Sequence, residues 1–259
     1  MKLQPGTLYL VPAPLDFGCD TQAPLQSALP MATLEVAARL AYWICENAKS
    51  TRAYLNRVAE IVPLAQPLQS IVIEELPREV HKKGDHTANF DARPLLAAAL
   101  QGYDMGLVSE AGMPAIADPG SSVVRAAHEF DIPVVALSGP VSLMLALASS
   151  GLNGQNFAFV GYLPQDAGGR TARIRELEAL ALKTGQSQLF IEVPYRNNTL
   201  FQALLQSLAG PTRLSLSLGL TLEAGWSRSM AVSQWRQKIV TAPMNLPCVF
   251  GIIATQPRR

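Results

Sequence analysis

The run Met105-Gly106-Leu107-Val108-Ser109-Glu110-Ala111-Gly112-Met113-Pro114-Ala115-Ile116-Ala117-Asp118-Pro119-Gly120-Ser121-Ser122 opens with four apolar residues and then loses all pattern. Met105 to Val108 reads as a short buried strand, entered from the turn-like Gly102 to Asp104. Gly112 tolerates backbone angles closed to other residues, and Pro114 removes a donor and fixes its own φ. Asp118-Pro119-Gly120 is a second turn signal. Ser121 or Ser122 is the expected cap of a helix over Val123 to Phe130. Strand, long loop and capped helix make half of a βαβ unit, and open α/β sheets bind ligands where such loops leave the strands. A tight connection with no ligand is the competing reading of a loop this rich in Gly and Pro.

Outward from this run the same alternation repeats. Strands are expected at Thr7–Val11, Ala41–Cys45, Ser70–Glu74, Ile132–Leu137, Phe157–Leu163, Gln188–Val193, Leu214–Leu222 and Leu246–Ile253. Helices are expected at Met31–Leu40, up to about Val58 after a polar loop, at Ala92–Leu100, Leu143–Ser149, Arg170–Leu182 and Asn198–Leu208, with a short one closing at Trp235. Strands alternating with helices imply an α/β protein. The pattern restarts after Leu137, which predicts two α/β domains, 1–137 with mostly parallel strands and 138–259 with its own sheet.

Composition narrows the function classes. Of 259 residues, 49% are hydrophobic and 16% charged, which excludes a disordered chain. A net charge of +1 argues against a strongly basic nucleic-acid binder and leaves a local basic groove open. Cys19, Cys45 and Cys248 are three and far apart, so neither a disulfide framework nor a zinc knuckle is expected. The first residues lead into a strand without a signal-peptide core, and no apolar run reaches the roughly 20 residues of a membrane span. The expectation is a soluble, cytoplasmic protein with no metal and no membrane partner. His81 and His86, five apart, do not share a helix face, and the polar stretch 76–90 reads as a basic, substrate-facing loop or an ordinary surface loop. Arg170, Arg173 and Arg175 give the following helix some basic character, although Glu176 and Glu178 make a solvated helix the plainer reading.

Ser109 to Pro114 followed by Ala117 to Gly120 resembles the signature loop of the tetrapyrrole (corrin/porphyrin) methylase superfamily, nearest the branch of the bacterial small-subunit ribosomal RNA cytidine 2′-O-methyltransferases. The resemblance covers nearly the whole chain. Ser138-Gly139-Pro140-Val141-Ser142 is similar to the superfamily's second cofactor loop, and Gly161-Tyr162-Leu163-Pro164 to a motif of the RNA-modifying branch. It implies S-adenosylmethionine bound between two α/β domains. The cofactor-binding residues it implies are Pro12, Gly112, Met113, Pro114, Ile116, Gly139, Val141 and Ser142, with Glu192 and Pro247 from the second domain. It also implies a homodimer, and Arg52, Tyr195 and Arg196 as substrate residues. One motif departs: where that branch has Glu-Asp-Thr-Arg, this chain has Glu46-Asn47-Ala48-Lys49-Ser50-Thr51-Arg52, with an insertion and no aspartate.

Methyl transfer from a sulfonium is an in-line displacement that depends chiefly on positioning, and it needs no metal. A hydroxyl acceptor benefits from a nearby base, for which Glu46, Glu110 and Asp118 are the catalytic candidates and Glu192 a fourth loop carboxylate. Asp118 is equally suited to bonding the amides of its own turn. RNA is the expected substrate class; the alternatives are a tetrapyrrole or other small metabolite, or a cofactor-binding protein without activity. Gly112→Val is expected to abolish cofactor binding while leaving the fold nearly intact, the opposite outcome marking Gly112 as a turn residue.

Overall fold

A computed structural model describes residues 4–83, Asp85 and 90–254. His86 lies outside these residues, as do the side chains of His81, Lys82 and Lys83; where they are described, residues 76–90 are not the expected loop throughout, since Arg78–Lys83 is helical and Asp85 is buried. The chain separates into two compact units, Met1–Val141 and Ser142–Arg259.

The first unit runs β1 (Leu8–Leu10), α1 (Met31–Arg39), β2 (Tyr42–Cys45), α2 (Ala48–Ala59), β3 (Val72–Glu75), α3 (Arg78–Lys83), α4 (Ala97–Leu100), β4 (Met105–Val108), α5 (Ser121–Glu129) and β5 (Val134–Ala136). Its strands form one parallel sheet in the order β3-β2-β4-β1-β5. All four residues of β4 are buried, as a parallel strand covered on both faces requires. One face packs Leu34, Trp43 and Leu55 with α1 and α2; the other packs Ile44, Leu107 and Val123 with α4 and α5. Trp43 explains the glycine in β4. A Cβ on Gly106 would lie 2.6 Å from the indole ring, so only glycine lets Trp43 cross its neighbouring strand.

The strand order contains a reversal that matters for function. From β1 the chain moves to β2, on the far side of β4; from β4 it moves to β5, on the far side of β1. The adjacent β1 and β4 therefore send their carboxyl-end loops in opposite directions and leave a crevice between them.

The second unit runs α6 (Ser142–Ser150), β6 (Phe157–Tyr162), α7 (Ala167–Thr184), β7 (Ser187–Glu192), α8 (Asn197–Ser207), β8 (Arg213–Leu218), β9 (Trp226–Ala231), α9 (Val232–Trp235) and β10 (Cys248–Ile253). The sheet order is β6-β7-β10-β8-β9, parallel only between β6 and β7. Its core stacks Phe190 on Phe250 and sets Trp235 edge-on to Phe201, with the indole N–H donating to Leu214 O at 2.9 Å.

The two-domain α/β class agrees with the sequence reading, and several elements correct it. The strand expected over 214–222 stops at Leu218, because the chain turns there into a hairpin partner, β9, that the sequence did not announce. The polar loop expected before α2 is largely its first turn, since Asn47 accepts from the N–H groups of Lys49 (2.8 Å) and Ser50 (3.3 Å) and starts the helix at Ala48. Residues 93–96 form a 3-10 turn ahead of α4 rather than α-helix. Arg173 pairs with Glu176 on its own helix at 2.8 Å, in keeping with a solvated surface.

Candidate active site at the carboxyl ends of the first sheet

Three loops close on one another beyond β1, β4 and β5. Ala13 and Gly112 exchange both backbone hydrogen bonds, at 2.8 and 3.0 Å, bridging the β1 and β4 loops across the crevice. The β5 loop joins them through Gly139, where a Cβ would lie 2.2 Å from Pro12 Cγ. Pro12, Gly112 and Gly139 are thus brought together by direct packing.

The β4 loop holds its shape against local preference. Gly112 (φ 72°) and Gly120 (φ 133°) take angles open to glycine, but Ala115 (φ 63°) and Ala117 (φ 67°) take the left-handed region with a side chain attached. Such residues cost about 1–2 kcal/mol each and cluster at ligand sites. This corrects the expected outcome at Gly112. Valine there would meet a forbidden backbone as well as Leu15, 3.2 Å from the built Cβ. Gly112→Val should therefore lower stability by about 1–3 kcal/mol as well as weaken ligand binding. A urea melt beside calorimetric titration reads both effects.

The far end of the loop is fixed by a residue the sequence did not suggest. Neither Ser121 nor Ser122 caps α5: both lie in its first turn. Asp85 does so from outside. Its Oδ2 accepts from the N–H groups of Gly120 (2.9 Å) and Ser122 (2.8 Å) and from the Ser122 hydroxyl (2.6 Å), while Oδ1 accepts from Ser121 Oγ at 2.7 Å. Burial alone would raise this carboxyl, but the Ser122 hydroxyl and amide, the Ser121 hydroxyl and the Gly120 amide hold it below the ordinary range. Its stabilisation is thus present above its ordinary value of 3.8 and lost as pH falls through the lower folded value. Asp85→Ala should cost about 1–3 kcal/mol at neutral pH and weaken the acid sensitivity of the melt.

The three carboxylates proposed for proton transfer converge. Glu46 Oε2 accepts from the Glu110 N–H at 3.0 Å, and Ser50 Oγ donates to Glu110 Oε1 at 3.4 Å. Glu46, Glu110 and Asp118 line a small cavity of about 350 Å³ with Phe17 and Asn47. Burial, with the charges of Glu46 and Glu110 added, pushes Asp118 up to about 7. Arg52 is exposed on α2, its guanidinium reaching Ala48 O at 3.4 Å, and does not line this cavity.

Beside the β4 loop, Met113, Pro114, Ile116 and Val141 form one end of an open, mostly apolar cleft of about 820 Å³ that continues over Leu10 and Ala136. In the second unit, Ser142 opens α6 and Glu192 ends β7. Glu192 pairs in register with Cys248, so Pro247 lies beside it across the sheet. Glu192 is buried and accepts from Arg196 Nη2 (2.7 Å), Arg196 Nε (3.0 Å) and its neighbour's N–H (2.8 Å). Arg196 is therefore engaged within its own turn, while Tyr195 is 82% exposed. Among the described residues no group of three or more His, Cys, Asp or Glu is arranged to hold a metal ion, and no helix is long and apolar enough to cross a membrane.

No family model matches the chain. It is 31% identical over 191 residues to the ribosomal RNA small subunit methyltransferase I of Micromonospora olivasterospora, covering 74% of this chain and 52% of that one. To the protein of the same name from Mesorhizobium japonicum it is 30% identical over 220 residues, 85% of this chain and 65% of the other. To that of Streptococcus pyogenes it is 38% identical over 195 residues, 75% and 58%. The match thus spans between about half and two thirds of these relatives' length. Among solved structures, uroporphyrin-III-C-methyltransferase from Thermus thermophilus aligns with a TM-score of 0.52 over 96% of this chain and 94% of the other, at 16% identity, a likeness of fold alone. With its signature loop folded as a bridged, strained turn at the sheet's reversal, the chain is similar in sequence to the ribosomal RNA small subunit methyltransferase I proteins and in fold to uroporphyrin-III-C-methyltransferase, in keeping with its resemblance to the tetrapyrrole methylase superfamily.

Proposed function

We propose that the protein is an S-adenosylmethionine-dependent methyltransferase acting on RNA, the substrate class in its relatives' names, with a ribose 2′-hydroxyl as acceptor, as the resemblance of its signature loop implies. One observation carries the reading: the bridged loops lie directly beside a cluster of three carboxylates, one of them near neutrality. The residues fit the cofactor. The cleft at Met113, Pro114, Ile116 and Val141 is apolar and lies within the roughly 300–1,000 Å³ of small-molecule sites. Pro12, Gly112 and Gly139 would form the backbone wall, and Ser142, Glu192 and Pro247 are the contributions proposed from the second unit.

S-adenosylmethionine, when bound, supplies a methyl group whose carbon–sulfur pair stays on sulfur as the acceptor oxygen takes the carbon. The chain's part is to hold the acceptor in line and to take its proton. Asp118 is the proposed proton acceptor, because a carboxylate poised near pH 7 is both ionised often enough and basic enough. The O–H electron pair then serves the new O–C bond, and the proton rests on Asp118. Glu46 and Glu110 keep that proton by their charge.

A homodimer completes the reading: Phe130, at the end of α5, and Val135, on the edge strand β5, are exposed apolar side chains that a second copy would cover. A ribosomal substrate would work in the cytoplasm. The test is transfer of labelled methyl from S-adenosylmethionine to ribosomal subunits and to fractionated small molecules from a strain lacking the gene. Label in ribose of RNA supports the proposal; label only in small molecules, or no cofactor binding at millimolar concentration, overturns it.

A further inference from the structure

A second cavity of about 430 Å³ opens in the first unit beside the carboxylate cluster and shares Phe17, Asn47 and Glu110 with it. Ser50, Tyr54 and Arg57 face it from successive turns of α2, spaced so that they share one side of the helix. Ser109, the residue after β4 and immediately before Glu110, also lines it.

Two polar atoms here are out of keeping with a folded interior. Tyr54 is 6% exposed and Ser109 5%, and neither the Tyr54 phenol nor the Ser109 hydroxyl makes a hydrogen bond. Buried hydroxyls are almost always paired, so two orphans on one cavity point to a partner from outside the fold. Burial pushes the Tyr54 phenol up, which keeps it a neutral donor. The charges on the wall are already spent on each other: Arg57 donates to both Asp16 oxygens, at 3.1 and 2.9 Å, and to Ala23 O at 2.7 Å. An anionic ligand would find that guanidinium occupied and Glu110 opposing it. The cavity suits a neutral group with hydrogen-bonding edges. Phe17, 47% exposed, supplies an aromatic face at the mouth, and Lys49 a cation at the rim.

We propose that this cavity receives the base of the acceptor nucleoside, turned out of a single-stranded RNA segment, with Phe17 stacked on it and the Tyr54 and Ser109 hydroxyls bonded to its edge. The ribose is then held at the shared mouth, where Glu110 separates the base cavity from Asp118, and Lys49 meets a flanking phosphate. This assignment rests on the methyltransferase reading for what happens to the ribose, but not for the binding itself.

Binding of a short single-stranded RNA to the full chain, followed by calorimetry without cofactor, tests it. Tyr54→Phe removes only the orphan oxygen. It should weaken RNA binding about tenfold while leaving the melting temperature unchanged or raised, since the apo protein loses an unpaired buried group. Phe17→Ala should weaken binding by about ten- to a hundredfold through lost stacking. Ser109→Ala repeats the Tyr54 test at the second unpaired hydroxyl if Tyr54→Phe disturbs the fold. Unchanged RNA affinity in both Tyr54→Phe and Phe17→Ala overturns the proposal, as does a lower melting temperature in both hydroxyl variants, which would mean that those oxygens serve the fold. RNA binding with these sensitivities but without methyl transfer would sink the proposed activity and leave the base cavity standing. Methyl transfer whose RNA KM ignores all three variants would do the reverse.

Discussion

Asp118→Asn lowers methyl transfer by about a hundred- to ten-thousandfold at pH 8, the span of a single positioned proton acceptor. The wild-type rate climbs with pH through about 7, as Asp118 ionises between Glu46 and Glu110, and the residual activity of the variant loses that rise. Stability moves in the opposite sense. A carboxyl raised in the folded state contributes most while protonated, below its ordinary 3.8, and that contribution is lost as pH climbs through about 7. Asparagine cannot ionise, so the variant should be the more stable protein at pH 8, by about 1–2 kcal/mol once partial solvation is allowed for. Rate–pH profiles and denaturant melts at pH 5 and 8 give both slopes. A variant with unchanged rate, or one less stable at pH 8, would show Asp118 to be a turn residue and nothing more.

Gly139→Ala should act on the cofactor side with comparable force. The added methyl would sit 2.2 Å from Pro12 Cγ and 3.1 Å from Leu29 Cδ2. A proline ring has no rotamer with which to yield, so the β1 and β5 loops must part. The expected cost is about 1–3 kcal/mol of overpacking, with S-adenosylmethionine affinity reduced at least tenfold because the bridged loops lose their mutual position. Unchanged affinity in the folded variant would mean that the cofactor does not depend on this contact.

What the sequence revealed, and what it hid, follows from how far each interaction reaches. β4 was legible because a strand buried on both faces must be apolar at every position. β9 was not, because an edge strand paired only with β8 tolerates Ser, Arg and Ser in a row and carries no such pattern. The left-handed demand at Gly112 was readable from residue type; the same demand at Ala115 and Ala117 was invisible in an alanine. Asp85 reaches its partners across about 35 residues of chain, so the serines beside the helix drew the assignment that belonged to it. Among the site residues, the grouping of Glu46, Glu110 and Asp118 could be suspected from their places after strands. Tyr54 and Ser109 could not, since a tyrosine on an apolar helix face and a serine after a strand look the same whether or not their hydroxyls find partners.

The helical start of α2 changes what its lengthened motif means. Glu46 is tied to β4 through the Glu110 amide, and everything from Ala48 through Arg52 is already helix. Against Glu-Asp-Thr-Arg, the chain carries three more residues before Thr51. In an α-helix three residues advance the chain by about 4.5 Å and rotate it by about 300°, only some 60° short of a full turn. Three residues more or fewer ahead of Thr51 thus shift it and Arg52 by most of a turn along the axis while changing their facing by only about 60°. Helices forgive length changes near a whole turn and punish others: removing one residue from 48–50 would swing Thr51, now buried with its hydroxyl on Asn47 O, by about 100° toward solvent.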